Sequence, residues 1–420
     1  MSLSLNPPKW TADRKPEEFR VRKYIFDTRR SVCELFAYDE YLGPLVEDAA
    51  IWEAKSGEDV WGTELTKITD RKGEISDLAL RPEMTPTVTR MIAKYQREYT
   101  KPIRWFSIAN FYRNERPQRG RNREFWQCNV DIFGSESITA DIEVLQMSVE
   151  LMKSFGANAT KEKSYEIRIN HRHAIWSVIT HLLWLERWFN NDTIVVYQII
   201  RLLDKWEKLD ESKLKEAFSE LSNWVQDITF TSDEIYTIFE GYMNCGSIEE
   251  LIELAPGIKE DTWIPEIKNI IDSLIELWYS EYIKFSPSLM RGFDYYDGMV
   301  FEVFDKHPDN NRALFGWGRY NGLADIFGVK ESIPAVGFAP GDETMKIFLE
   351  SWNLIPDELR QERWYVPLLE EGKEAEVMKK AQELRNEGKK VEVGLKVMNE
   401  KKAYDVAGKK GIDNERVVLI

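Results

Sequence analysis

Residues 113–134 read R-N-E-R-P-Q-R-G-R-N-R-E-F-W-Q-C-N-V-D-I-F-G, and this stretch decides the fold. Arg113, Arg116, Arg119, Arg121 and Arg123 fall within eleven residues. An apolar, aromatic run precedes them (Trp105, Phe106, Ile108, Phe111, Tyr112), and another follows (Phe125, Trp126, Val130, Ile132, Phe133). Between the runs lies a polar segment with Pro117 and Gly120. The pattern is that of two strands joined by a long basic loop. Such a hairpin can point guanidiniums at polyphosphate or RNA, because Arg stays charged and grips oxyanions with a planar fork. Taken alone, the loop reads equally well as a solvated, charged hairpin.

The rest of the chain sets the frame. It has 420 residues, 43% hydrophobic and 31% charged, enough for two to three soluble globular domains. No apolar run approaches the roughly 20 residues needed to span a bilayer. The N-terminus has no positive segment followed by a long apolar one, so no signal peptide is expected. Cys33, Cys128 and Cys245 are odd in number, lie far apart and form no metal spacing, which suits a reducing cytoplasm. A net charge of −15 argues against a non-specific nucleic-acid binder but leaves room for local basic patches.

Residues 16–38 have helical spacing of Phe19, Tyr24, Ile25, Val32, Leu35 and Phe36, with Pro16, Glu17 and Glu18 at the start. A short strand near 41–46 is broken by Gly43-Pro44. Residues 59–70, 74–80 and 165–170 read as strands, 86–99 and 140–155 as helices. From 172 to 284, Leu, Ile, Trp, Glu and Lys recur at helical spacing, which predicts a helical insertion. Strand and turn signals return at 289–350, and Pro356 marks a linker. The tail alternates as strand 364–369, helix 373–387, strand 389–395, helix 399–409 and strand 416–420, a small parallel α/β unit. It stops on the apolar run R-V-V-L-I, which suggests that further C-terminal sequence belongs to it.

Four more clusters carry chemistry. L-R-P-E-M-T (80–85) places Glu83 and Thr85 at a strand-to-helix corner, where both could hold an ammonium group. R-G-F-D-Y-Y (291–296) sits beside a strand. G-W-G-R-Y-N-G (316–322) is a Gly-rich turn where backbone can approach a ligand. V-G-F-A-P-G-D-E-T (336–344) is a Gly-punctuated strand that leads into a helix. His171, His173 and His181 do not form a zinc pattern with the distant cysteines, so no protein-held metal is expected.

In their order and spacing these blocks resemble class II aminoacyl-tRNA synthetases, and among them the histidyl-tRNA synthetases. R-G-F-D-Y-Y followed by G-R-Y-N-G-L is the pair that looks specific to the histidine enzymes. Pro44 is similar to the motif 1 proline at that class's dimer interface. The resemblance implies an α+β fold: a class II antiparallel-sheet catalytic core with a helical insertion, plus a small C-terminal α/β anticodon-binding domain. It divides the chain into a first part of the core at 1–171, the insertion at 172–284, the second part of the core at 285–355 and the anticodon-binding domain at 360–420. Glu83 and Thr85 would take the α-ammonium of L-histidine. Gln127 and Asp131, on one face of the second hairpin strand, would complete that pocket. Tyr295, Tyr296 and Tyr320 would contact the imidazole side. Arg113 and Glu115 would bind ATP, with Arg113 and Arg291 as the catalytic charges on its α-phosphate. Gln118 and Arg119, at the loop tip, would meet the acceptor end of the tRNA for histidine. Mg2+ would enter with ATP, held by phosphates and carboxylates. The implied unit is a cytoplasmic homodimer without membrane attachment.

Three departures matter. Motif 3 of the class reads G-x-E-R with its Arg on ATP, whereas here Gly341-Asp342-Glu343 is followed by Thr344. Lys346 lies two residues on, on a different face of a helix. Before the first helix, Lys9-Trp10-Thr11-Ala12-Asp13 stands where the family often has Gly-Thr-x-Asp, and Asp131 replaces a frequent Glu. Two readings follow: a histidine–tRNA ligase of a divergent lineage, or a non-enzymatic paralogue similar to the regulatory subunit of ATP phosphoribosyltransferase. Retention of Arg113, Glu115 and Arg291 and the α/β tail favours the first.

Overall fold

The computed structural model describes residues 4–9, 11–54, 65–116, 118–158, 164–182, 199–200, 202–203, 206, 209–222, 231–289, 296–310, 312–359 and 362–420. The chain divides into two compact units, Met1–Leu354 and Ile355–Ile420. In the first unit the described elements, in order, are α1 (Pro16–Leu35), β1 (Asp39–Glu40), β2 (Val46–Asp48), α2 (Ala50–Glu53), β3 (Thr66–Thr69), β4 (Ile75–Leu80), α3 (Thr85–Tyr95), β5 (Ile103–Tyr112), β6 (Glu124–Phe133), α4 (Ile138–Ser154) and β7 (Tyr165–His171). They continue with α5 (Arg172–Leu182), α6 (Glu211–Ser222), α7 (Ser232–Asn244), α8 (Ile248–Leu254), α9 (Trp263–Glu276), β8 (Ile283–Phe285), β9 (Met299–Asp305), β10 (Ala313–Arg319), β11 (Ala335–Phe338) and α10 (Asp342–Ser351).

Eight strands form one sheet in the order β1-β5-β6-β11-β10-β9-β7-β8. Its inner pairs are antiparallel, and parallel pairs occur only at the two edges, β1 with β5 and β7 with β8. The basic hairpin is its longest ladder, in unbroken register from Ile103 opposite Phe133 to Tyr112 opposite Glu124. Ile103, Trp105, Phe106 and Phe111 on β5 and Val130, Ile132 and Phe133 on β6 are buried, so apolar packing on both faces of the ladder holds that register. The backbone N–H of Arg113 donates to Arg123 O at 2.8 Å, closing the loop at its base.

The segment near Gly43-Pro44 splits between two sheets. β1 joins the large sheet, whereas β2 joins β4 and β3 in a separate three-stranded sheet. Buried Arg81 holds the corner between them: its Nη1 donates to Gly43 O at 2.8 Å and its Nε to Asn110 O at 2.9 Å. The helix expected over 86–99 is α3 followed by one 3-10 turn, Gln96–Glu98. The described residues between β7 and β8 are mostly helical, packed around groups such as the stacked rings of Phe218 and Phe239. β8 then returns to the sheet edge beside β7.

α1 differs from its expected inward face. Phe19 and Leu35 are 46% and 83% exposed, while Arg22 and Arg29 are buried beside Ile25, Phe26, Val32 and Cys33. The reason is polar: these two arginines reach the start of α10, as described below. In the second unit β12 (Trp364–Val366) and β13 (Val391–Val393) pair in parallel, flanked by α11 (Glu374–Asn386) and α12 (Glu400–Lys409). The strand expected at 416–420 reduces to a 3-10 turn, Asn414–Arg416, and a single parallel bridge from Val417 to Tyr365. Val377, Ala381 and Leu384 cover one side of this pair, and Ala403, Ala407 and Ile412 cluster with Tyr365.

Candidate active site

The corner between β4 and α3 delivers Glu83 and Thr85 into the interior, both 0% exposed. Neither carboxylate oxygen of Glu83 has a hydrogen-bond partner, and neither does Thr85 Oγ1. Burial pushes the Glu83 carboxyl up to about 7, against the pull of nearby Arg113. Asp131, near the C-terminal end of β6, is also buried and is likewise pushed up to about 7 by that burial, with Glu83 adding to the rise. Two carboxyls that repel one another thus share one buried region. Tyr320 Oη donates to Asp131 Oδ1 at 2.5 Å, while Oδ2 has no partner. Gln127, four residues earlier on the same face, donates to Ala339 O at 3.2 Å and leaves its Oε1 unpartnered. The buried hydroxyl of Tyr41 is also without a partner, and burial, with the Asp131 charge adding to it, pushes its pKa well up.

A buried polar atom without a partner is costly, so this many together mark a cavity shaped for a polar ligand. The acceptors dominate: Glu83, Asp131 and Gln127 all present oxygens. The ligand they suit is cationic and rich in N–H donors. Gly337 is required for the arrangement, because a Cβ there would lie 2.3 Å from Asp131 Oδ1 and 2.4 Å from Val130 O. Tyr320 is seated by its neighbour: Arg319 forms a buried ion pair with Asp141, its Nε 3.1 Å from Oδ1. Tyr296 is 3% exposed; burial pushes the Tyr320 hydroxyl well above its ordinary value, with the Asp131 charge and, less, Tyr296 adding to the rise.

Beside this pocket opens a cleft of about 390 Å³. Glu83, Arg113, Glu115, Phe125, Gln127, Glu302, Trp317 and Thr344 are among its lining residues. The Arg113 guanidinium lies over the Phe125 ring, 5.2 Å from its centroid, and its Nε donates to Pro82 O at 2.9 Å. Those contacts fix the orientation of the guanidinium. Glu115 Oε2 is 3.5 Å from Arg121 Nη1. The loop tip is tied down: Gln118 Oε1 accepts from Arg312 Nη2 at 2.9 Å, and Arg119 Nη1 donates to Asp309 O at 3.4 Å. Arg291 and Tyr295 lie outside the described residues.

The first turn of α10 has partners that the sequence reading missed. Arg22 pairs with both Asp342 and Glu343, and Arg14 with Glu343. Arg29 Nη2 donates to Gly341 O at 2.9 Å, and Asn122 Nδ2 to Glu343 Oε1 at 2.8 Å. Asp342 Oδ1 accepts from the backbone N–H of Trp126 at 2.9 Å. Motif 3 is thus bolted to α1 and β6 by its own acidic groups. The available signal was Arg22 and Arg29, seven apart on the apolar stripe of α1. Arg81 and Tyr41 were missed for a similar reason: each reads as an ordinary strand-end residue.

The central antiparallel sheet, with a basic hairpin over a cleft and a Gly-bordered helix opposite, is the core of a class II aminoacyl-tRNA synthetase. The chain belongs to the histidyl-tRNA synthetase family, whose model matches residues 10–182 and 207–343. A histidine–tRNA ligase from Leptospira biflexa is 36% identical over 403 residues, covering 96% of this chain and 87% of the relative. The crystal structure of a histidyl-tRNA synthetase from Nostoc superposes with a TM-score of 0.77 at 20% identity, over 98% of this chain and 90% of that one. A Bacillus halodurans protein described as an ATP phosphoribosyltransferase regulatory subunit/histidyl-tRNA synthetase superposes with a TM-score of 0.75 at 21% identity, over 100% and 99% of the two chains. At these identities the two structures establish the fold alone.

Proposed function

We propose that this chain is a histidine–tRNA ligase, which joins L-histidine to ATP as histidyl-adenylate, releases pyrophosphate, and passes the histidyl group to the 3′ end of its tRNA. The observation that carries the site assignment is the pair of buried carboxyls, Glu83 and Asp131, each with an oxygen left without a partner. An α-ammonium fills that need directly, and ion pairing with it returns both carboxyls to their charged form. Glu83 and Thr85 take the ammonium, with Gln127 and Asp131 closing the pocket. Tyr296, Tyr320 and, on sequence grounds, Tyr295 border the imidazole. Asp131 orients the Tyr320 hydroxyl, which fixes one ring nitrogen by its hydrogen bond.

Histidine held there presents its carboxylate toward the cleft, where Arg113 grips the α-phosphate. Carboxylate oxygen attacks phosphorus, the bond to the β-phosphate bridge breaks, and pyrophosphate leaves. Negative charge grows on the α-phosphate oxygens during this step, so a fixed guanidinium helps more in the transition state than before it. Arg291 adds a second charge in this reading. Placing the two reactants in line supplies much of the remaining acceleration. Glu115 serves the adenine side. Mg2+ would enter with ATP, and Glu302 is a cleft carboxylate whose oxygens would suit such a hard cation; when bound, the ion would neutralise phosphate charge.

The tRNA acceptor end meets the hairpin loop at Gln118 and Arg119. The working unit is a homodimer, supported by exposed Leu42, Leu45, Val46, Ile75 and Leu78 around Gly43-Pro44 and the small sheet. Its site of action is the cytoplasm; Cys33, Cys128 and Cys245 are free thiols, which suits a reducing compartment. Among the described residues no helix is long and apolar enough to cross a membrane. The second unit is assigned to the anticodon, where a small α/β surface can take unpaired, splayed bases.

Transfer of labelled histidine to tRNA tests the whole reading. The intact chain is expected to charge the tRNA for histidine. A chain ending at Leu354 is expected to keep adenylate formation within about threefold while losing at least tenfold in kcat/KM for tRNA. Equal losses in both steps would count against a separate tRNA-reading unit.

A further inference from the structure

The motif 3 position usually held by arginine is Thr344, and its hydroxyl donates to Leu314 O at 3.0 Å, near the start of β10. Lys346 does not make good the missing charge, since it pairs with Glu350 at 3.3 Å along α10. Two residues before Leu314, at the mouth of β10, stands Arg312. Its carbonyl accepts from the Asp305 backbone N–H at 2.9 Å, which pins the residue to β9. Its guanidinium bonds to the hairpin loop, by Nη2 to Gln118 Oε1 at 2.9 Å and by Nη1 to Arg119 O. Gly120 lies between the two candidates: a Cβ there would be 3.7 Å from Thr344 Cγ2 and 3.9 Å from Arg312 Nη1. Gly120 and Thr344 both line the cleft, as do Ala313 and Leu314.

We infer that Arg312 supplies the triphosphate-binding charge that motif 3 lacks, and takes the β- and γ-phosphates of ATP. This rests on the reading of the cleft as the ATP site. Thr344 anchors the strand start that carries Arg312, so the cation has moved from the helix to the facing strand. The geometry along β10 agrees. Tyr320, at the amino-acid pocket, follows the far end of the strand from Arg312, roughly 25 Å away at a strand's rise per residue. A nucleotide whose α-phosphate meets Arg113 near Glu83 therefore extends its terminal phosphates toward Arg312. Charge agrees as well. The cleft lining includes Arg113 and Arg121 but also Glu115 and Glu302, while Asp342 and Glu343 are spent on Arg14 and Arg22. In the ligand-free protein Arg312 rests on neutral acceptors, the Gln118 amide and the Arg119 carbonyl. A triphosphate is a far stronger partner for a guanidinium than either.

The test compares ATP with AMP, because AMP lacks the phosphates assigned to Arg312. Equilibrium binding of each nucleotide is measured by calorimetry on the full chain and on Arg312→Ala, Arg312→Lys and Arg312→Ala with Thr344→Arg. Arg312→Ala is expected to weaken ATP binding by at least tenfold and AMP binding by less than twofold. Arg312→Lys should fall between, keeping the charge without the fork. Adding Thr344→Arg should recover a large part of the loss. Equal weakening of ATP and AMP would mean that Arg312 only braces the loop, and unchanged ATP binding would remove it from the site; either result overturns the proposal. Should the wild type bind ATP through Arg312 but catalyse no histidine-dependent exchange, the adenylate reading fails and the role of Arg312 stands.

Discussion

Glu83→Gln is expected to abolish useful histidine activation while making the ligand-free protein more stable above pH 7. The first effect follows from the pocket's charge. Removing one partner of a buried ion pair costs about 3–5 kcal/mol, so histidine affinity and kcat/KM should fall by roughly 10²–10⁴. The second follows from the raised pKa. The carboxyl sits at about 7 in the folded protein against an ordinary 4.5, so between those values the folded state holds a proton that the unfolded state has released. Stability from this group is therefore full below about pH 4.5, falls as pH rises, and is lost above about 7. Glutamine never ionises and escapes that penalty. The variant should exceed the wild type by about 1–3 kcal/mol at pH 8, judged from the size of the shift, with the gap closing toward pH 5. Urea unfolding at both pH values measures it. A variant less stable than wild type at pH 8 would mean that the Glu83 carboxylate is satisfied in a way the present geometry does not contain.

Arg113→Ala is expected to separate chemistry from binding. Loss of the guanidinium at the α-phosphate should lower kcat for adenylate formation by about a thousandfold, the scale of removing a positioned donor from a developing charge. Histidine binding should suffer less, but not in the same way at every pH. Arg113 also pulls the Glu83 pKa down, so without it the carboxyl ionises at a higher pH. Histidine affinity in the variant should be weaker at pH 7 and recover by pH 9, whereas the rate should not recover. Arg113→Lys should restore part of the pH behaviour and little of the rate, because a point charge lacks the fork. Histidine affinity that stays low at pH 9 would place Arg113 in the pocket's structure and not in its electrostatics.

The hairpin was legible because two signals coincided: apolar, aromatic runs within 103–112 and 124–133, and a polar loop with Pro117 and Gly120 between them. Glu83, Thr85, Gln127, Asp131 and Tyr320 could be placed in one site only through motif resemblance, since they come from distant parts of the chain. Asp131 and Tyr320 meet because β6 and β10 flank β11 in the sheet. The tertiary roles of charged residues were least legible. Arg22 and Arg29 sit on the apolar stripe of α1, but their partners appear only when α10 brings Gly341, Asp342 and Glu343 against them. Arg312 looks like a loop residue until Gly120 and Thr344 stand beside it. A strand ending such as 416–420 was also misleading, because β-propensity needs a partner and only Tyr365 provides one.

Histidine-dependent exchange of pyrophosphate with ATP, with the other amino acids as controls, tests the central claim most directly. Exchange with histidine alone is the expected result, and it would show that Thr344 does not disable the site. Histidine binding to the pocket without any exchange would contradict the account and point to a histidine-sensing paralogue on the same fold.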